Sequence, residues 1–240
     1  MPKTSQKIRI NKFLQKYKKI SRRAADKLIE EGRVFIDGRP AHKGEIVSTS
    51  QKIFVDGAIV IPDDGEPIFL LMNKPAGYIC SRRGRNTVFD ILPEIYRELG
   101  NLSYIGRLDV NTTGALLFTD DGEILQKIIR SKISRVYRAT IDRKLSSEEV
   151  NFLKSGITID GKSVRTGKII ARGRIVTVEL FEGRWREVRR IFGAIGAKVE
   201  KLHRLSFGNI SVRGLPSGKT RTLSGREVEE LKRLATSQRR

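Results

Sequence analysis

Few residues in this chain are placed to do chemistry, and the most suggestive is a single carboxylate. Asp109 sits in "IGRLDVNTTGALLFTDDG", Ile105 to Gly122, two residues after Arg107 and shortly before the apolar run Ala115-Leu116-Leu117-Phe118. Asp-Val-Asn-Thr-Thr-Gly is also good turn chemistry, in which the carboxylate would only bond its own backbone. Three features favour a reacting group over a turn former. The flanking segments are apolar and strand-like, so rigid elements would hold the loop. Arg107 is close, and a carboxylate in the mouth of a core is normally paired. The third is electrostatic. The chain carries 48 Lys+Arg against 27 Asp+Glu, a formal net charge of +21. A surface built for a polyanion should avoid carboxylates unless one is used. A carboxylate held this way suits nucleophilic attack or proton abstraction.

Two further residues could work with it. Within "FEGRWREVRRIFGAIG", Phe181 to Gly196, Val188, Ile191, Phe192 and Ile195 define the inward face of a helix. At about 100° per residue, Arg186 points away from that face, Arg190 lies toward solvent, and Arg189 falls only about 60° from Phe192. Arg189 is therefore the expected partner for a buried carboxylate, which a fixed guanidinium keeps ionised. Tyr137 in "SRVYRATI" has two open readings. It is either a strand residue of the core or, beside Arg135 and Arg138, a flat face on which an extruded base stacks.

Other chemistries lack the residues they need. His42 and His203 are the two histidines and lie far apart in the chain, so neither a histidine triad nor a metal site is expected. Cys80 is the single cysteine, which allows no internal disulfide. No P-loop and no G-x-G-x-x-G after a strand occur, so no ATP, NAD or S-adenosylmethionine pocket is expected.

The elements that must position these residues follow from periodicity. Ile10, Phe13, Leu14 and Tyr17 recur at helical spacing, and Ser21 can cap a second helix carrying Ala25, Leu28 and Ile29, ended by Gly32. "RVFIDG" and "KIFVDG" read as strands closed by Asp-Gly turns. Lys12, Lys16, Lys18, Lys19, Arg22, Arg23 and Lys27 place seven cations within sixteen residues, with one acid, Asp26, among them. That density favours a phosphate-contacting surface over a merely solvated one. "IPDDGEP" is a linker. Residues 1–60 are thus expected to form a small module, 61–67 the linker, 68–232 a second domain and 233–240 a basic tail.

The second domain alternates strands and helices. "IFLLMNK", "YIGRL", "ALLFT", "RVYRATI" and "RIVTVELFEG" read as strands, as does a late segment near Leu202 to Phe207. "ITIDGKSV" is a hairpin around Asp160-Gly161. Glu123 to Arg130 is a helix with Ile124, Leu125, Ile128 and Ile129 inward. Ser146 and Glu149 form a capping box, and a capped helix starts at Ser224. Hairpins mixed with helices give an α+β fold with a mixed, largely antiparallel sheet flanked by helices. The charge excess makes nucleic acid the expected partner. No run of 18 apolar residues and no secretory leader are present, so no membrane partner and a cytoplasmic location are expected.

Together these residues resemble the bacterial ribosomal RNA pseudouridine synthases that act on small- and large-subunit rRNA. "IRINKFLQKYKKISRRAADKLIEEGRVFIDG" resembles an S4-type RNA-binding module. "LMNKPAGYICS", "GRLDVNTTGALLFTDDG", "RVYRATI" and "EGRWREVRRIF" resemble the family's four ordered motifs. "SRRGRNTVFDILP" and "EGRWREVRR" look most like the large-subunit synthase B type. Thr113, Ala115 and Trp185 stand where serine, leucine and a polar residue are commoner. The resemblance implies isomerisation of an rRNA uridine, in 23S rRNA, to pseudouridine without cofactor or metal. Asp109 would supply the essential carboxylate, Arg189 its partner and Tyr137 the stacking ring. Arg107, Lys74, Asn111, Thr112, Arg184, Arg186 and Arg190 would contact RNA around the site, and Lys12, Lys19, Arg22, Arg23 and Lys27 would contact it from the S4-type module. The partner would be rRNA or a pre-ribosomal particle, met by a monomer. Two rival readings are a non-catalytic RNA-binding or assembly protein and a base-removing RNA glycosidase.

Overall fold

The computed structural model describes residues 7–62 and 65–236. Asp63 and Asp64 of the expected linker, and residues 237–240 of the expected tail, lie outside them. The chain divides into two compact units. One runs up to Pro67 and includes Glu94–Ser103, and the other comprises Ile68–Pro93 and everything from Tyr104 on.

The first unit contains β1 (Lys7–Arg9), α1 (Ile10–Tyr17), α2 (Arg22–Glu30), β2 (Val34–Ile36), β3 (Arg39–Pro40), β4 (Ile46–Ser48), β5 (Ile53–Val55), β6 (Ala58–Ile59) and a short α3 (Glu94–Arg97). Ser21 caps α2 by accepting from the Ala24 N–H at 3.2 Å, and Gly32 beyond its end takes the left-handed conformation. Asp37-Gly38 and Asp56-Gly57 all have positive φ, which matches the turn to the twist of the two hairpins they close. Ile10, Phe13, Leu14, Ala25 and Ile29 pack on Val34, Ile36, Ile53 and Val55 in one core. Lys19, Arg22, Arg23 and Lys27 are exposed, and Lys12 is half-buried.

The second unit is built on one sheet. Its elements are β7 (Phe69–Lys74), β8 (Ser103–Ile105), β9 (Thr112–Thr119), α4 (Gly122–Arg130), β10 (Arg135–Ile141), α5 (Ser147–Ser155), β11 (Ile157–Ile159), β12 (Lys162–Val164), β13 (Thr166–Arg172), β14 (Ile175–Leu180), α6 (Glu187–Gly193), β15 (Val199–Phe207), β16 (Ile210–Ser211), β17 (Thr220–Thr222) and α7 (Gly225–Thr236). The strand order is β13-β14-β10-β15-β9-β7-β17, with β16 on β15 and β8 on β9. Every pairing along that order is antiparallel except β15 with β9, so the fold is α+β with a mixed, mostly antiparallel sheet. Ala115 and Leu117 of β9 face a core shared with Ile124, Leu125 and Ile128 of α4 and Leu231 of α7. Leu116 and Phe118 are also fully buried, with the Phe118 ring edge-on to Phe89 at 5.7 Å. The apolar run after Asp109 is therefore a strand covered on both faces. Among the described residues, no helix is long and apolar enough to cross a membrane.

Three sequence expectations need correction. Ile129 does not join the core of α4 but is 45% exposed. "YIGRL" is a strand only as far as Ile105, because Gly106 turns the chain at φ +72°. Ile195 lies past the end of α6, which stops at Gly193.

The parallel pairing at the centre of the sheet sets the geometry of everything beside it. Gly114, at φ +105°, lies opposite Arg204, and a Cβ built there would sit 2.1 Å from the Arg204 carbonyl oxygen. Only glycine lets β9 and β15 approach this closely. Gly114→Ala is expected to destabilise the second unit by about 3 kcal/mol or more, through a backbone clash added to a strained φ. Urea unfolding followed by circular dichroism reads this directly, and an unchanged midpoint would show that the two strands are not so close.

Candidate active site

The segment from Gly106 to Asn111 has no regular structure, yet it is braced from below. Lys74, the last residue of β7, is fully buried. Its ammonium donates to the carbonyls of Pro75 at 2.9 Å, Val110 at 3.1 Å and Thr112 at 3.0 Å. The Gly77 N–H also donates to the Val110 carbonyl, and the Leu108 N–H reaches the Cys80 thiol at 3.4 Å. The turn closes through the Thr112 N–H and the main-chain carbonyl of Asp109 at 3.0 Å. It therefore does not draw on the Asp109 carboxylate, which points to other work.

That carboxylate lies on the wall of a cavity of about 140 Å³, below the roughly 300–1,000 Å³ of drug-sized pockets. Arg107, Arg135, Arg184, Arg186 and Arg204 line it, against Asp109 and Glu187. Ile105, Leu108, Leu180, Val188, Leu202 and Phe207 supply apolar walls. Tyr137, on β10, is 8% exposed and lines the same cavity. A register shift between Val136 and Tyr137 sets the tyrosine opposite Arg204 rather than Leu205. Bulges commonly re-aim side chains in this way beside functional sites. The Arg204 guanidinium donates to the Tyr137 hydroxyl at 3.4 Å and to the Ala115 carbonyl at 2.6 Å.

The cavity is cationic down to its floor. Arg135 and Arg204 are 5% and 2% exposed. Arg135 donates to the carbonyls of Ile133 and Phe181, both at 3.0 Å. Both guanidiniums lie near the Phe207 ring, at 4.7 and 5.5 Å from its centre. Burial lowers the pKa of Arg135 and of Lys74, while the Asp109 charge acts to raise that of Lys74. Burial pushes the Glu187 carboxyl upward.

The arginine that pairs with Asp109 differs from the expected one. Arg186 Nη1 stands 3.8 Å from Asp109 Oδ2. The wheel argument failed for Arg186 because α6 begins one residue later: Arg186 is its left-handed N-cap, at φ 50° and ψ 31°. Arg189 Nη1 instead donates to the Val199 carbonyl at 2.6 Å. Burial and Arg186 lower the pKa of Arg189, and the Asp109 charge opposes them, so the three groups share one field.

The remaining expected residues separate by burial. Arg107, Thr112 and Arg184 line the cavity, and Asn111 is exposed in the turn beside it. Lys74 cannot contact RNA as expected, since its three donors are spent on carbonyls beneath the loop. Arg190 pairs with Asp160 on the β11–β12 hairpin. Glu187 and Arg204 went unread in the sequence, and Arg135 was read only as a neighbour of Tyr137. Arg135 and Arg204 share strand parity with Tyr137 and Leu202, a period-two signal that an arginine normally overrides by implying solvent.

Residues 68–194 match the family described as RNA pseudouridylate synthase, and residues 8–53 match the S4 domain. The chain belongs to the RNA pseudouridylate synthase family. It is 36% identical to the ribosomal large subunit pseudouridine synthase B of Bacillus subtilis, with 90% of this chain and 91% of the relative covered. It is 33% identical to an RNA pseudouridine synthase of Aquifex aeolicus, covering 93% of both chains. The dual-specificity RNA pseudouridine synthase RluF of Escherichia coli is 30% identical, with 95% and 79% covered. A crystal structure of a pseudouridylate synthase superposes with a TM-score of 0.67 at 28% identity, covering 93% of this chain and 99% of that one. Members of this family are isomerases.

Lys74→Met is expected to leave three carbonyls without their donor and to cost about 3 kcal/mol or more of stability. In a variant that still folds at low temperature, turnover should fall further than binding, because the loop carrying Asp109 loses its brace. Denaturation midpoints and single-turnover rates measured together check this. Equal stability in the variant would show that the ammonium is not the brace.

Proposed function

We propose that the chain converts a uridine of ribosomal RNA, in the 23S molecule, to pseudouridine, with Asp109 as the catalytic group and no cofactor. One observation carries this reading: a carboxylate free of its own turn faces an arginine-lined cavity that also holds a buried tyrosine. In the reaction the N1–C1′ bond breaks, the uracil rotates, and a C5–C1′ bond forms. C5 loses its proton and N1 gains one, so substrate and product are isomers and no co-reactant is consumed. Asp109 acts either by attack at C1′, by attack at C6, or by removing the C2′ proton. Each route needs the carboxylate within bonding or proton-transfer reach of one nucleotide.

The uracil must leave its stack, which costs a few kcal/mol. Tyr137 offsets part of that cost by packing on the everted base, with its hydroxyl held by Arg204. Arg186 and Arg189 hold the field around Asp109. Arg107, Asn111, Thr112 and Arg184 contact the sugar and phosphates of the target. Lys12, Lys19, Arg22, Arg23 and Lys27 grip folded RNA through the S4 domain, where salt-sensitive phosphate contacts dominate affinity. The protein works as a monomer in the cytoplasm on rRNA or on an assembling particle. The relatives named for large-subunit rRNA support the 23S assignment.

The test is incubation of unmodified 23S and 16S rRNA with the protein, followed by carbodiimide treatment and primer extension. The wild type is expected to give a new stop at one uridine of 23S rRNA. Asp109→Ala should lower the rate by at least about a thousandfold. Equal modification by both proteins would refute the assignment of Asp109. Release of free uracil would indicate a glycosidase, and no modification by either would leave a binding protein.

A further inference from the structure

We propose that Trp185 floors a second base-binding subsite, which stacks an unpaired nucleobase adjacent to the everted uridine. The inference rests on reading the Asp109 cavity as the seat of an RNA nucleotide. A separate cavity of about 320 Å³ opens beside that one, and the two share Arg184 and Glu187 in their linings. Trp185 lies on the loop between them and is 69% exposed. Ile159 and Val164 of the β11–β12 hairpin provide the apolar wall of this second cavity. A base entering it meets Trp185 together with the aliphatic side chains of Ile159 and Val164.

The charge around the indole suits a nucleotide. Arg184, Arg190 and Lys162 line the cavity with Trp185, and the Arg186 guanidinium stands 5.8 Å from the indole ring. The nearby carboxylates are engaged within the protein: Glu182 with Arg184 at 2.7 Å, Asp160 with Arg190, and Glu187 with the Arg184 N–H at 3.3 Å. An exposed indole between arginines is how single-stranded nucleic acid is held without regard to sequence, because every base has a π-face. Arg186 couples the two cavities, as it pairs with Asp109 while flanking Trp185. A base stacked on Trp185 would therefore sit next to the nucleotide held at Asp109.

Trp185 is the single tryptophan of the chain, so its fluorescence reports on this site alone. The full chain is titrated with an unmodified 23S rRNA transcript and, separately, with heparin, a polyanion that has no bases. Quenching by the transcript and not by heparin is expected, and Asp109→Ala should quench equally. Trp185→Ala should raise KM for the transcript on the order of tenfold, with Trp185→Phe in between and the loss falling on KM rather than kcat. Equal quenching by heparin, or an unchanged KM in Trp185→Ala, would overturn the subsite. A defect seen only with ribosomal particles and not with free transcript would assign Trp185 to a protein contact and also overturn it. Quenching is read without turnover. Quenching by the transcript alone, with no pseudouridine formed, would support the subsite while refuting the isomerase reading.

Discussion

The second unit buries more positive charge than negative, with Lys74, Arg135 and Arg204 set against Glu187. Lys74, Arg135 and Arg204 are all sealed from solvent. Their hydrogen bonds run to main-chain carbonyls and to one tyrosine hydroxyl, not to carboxylates. Desolvating a cation is expensive, and carbonyl dipoles and aromatic faces recover only part of the cost. Arg135 and Arg204 line one cavity, where Asp109 and Glu187 supply the negative groups. A bound polyanion would supply the rest. Under the proposed function, that imbalance would draw RNA phosphates to the site.

The architecture concentrates on that point. β9 is gripped on both faces, so the loop ahead of it has a fixed base. Gly114 lets β15 close on β9, which brings Arg204 under the cavity. The bulge at Leu205 in β15 sets Tyr137 against Arg204. The left-handed turn at Arg186 sets the start of α6 against the loop. Each device is small, but moving any one by an ångström would reshape the cavity lining, and under the proposed function catalysis is sensitive on that scale.

Much of this was legible in the sequence, because it is local. The Asp-Gly turns, the Ser21 cap and the Ser146–Glu149 capping box use short-range chemistry and occur where spacing put them. The apolar run after Asp109 predicted a rigid strand, and the resemblance of the motifs predicted the family. What could not be read was long-range or conformational. The pairing of Gly114 with Arg204 joins residues far apart in the chain. The Arg186 contact depends on Arg186 being the left-handed N-cap of α6 rather than a residue on the helix wheel. β13 was missed because Gly167 and Lys168 interrupt its alternation at the edge of the sheet. Lys74 reads as a surface cation in any sequence, and its burial is explained only by three carbonyls that folding brings together.

The central claim is that residue 109 faces the sugar of an everted nucleotide amid uncompensated cations. A crystal structure of Asp109→Asn with a 23S rRNA fragment containing the modified uridine tests it most directly. The account predicts that uridine out of its stack, its base against Tyr137, and its ribose within about 3–3.5 Å of the residue 109 side chain. A target uridine still stacked in the RNA, or everted to a place remote from residue 109 and Tyr137, would contradict it.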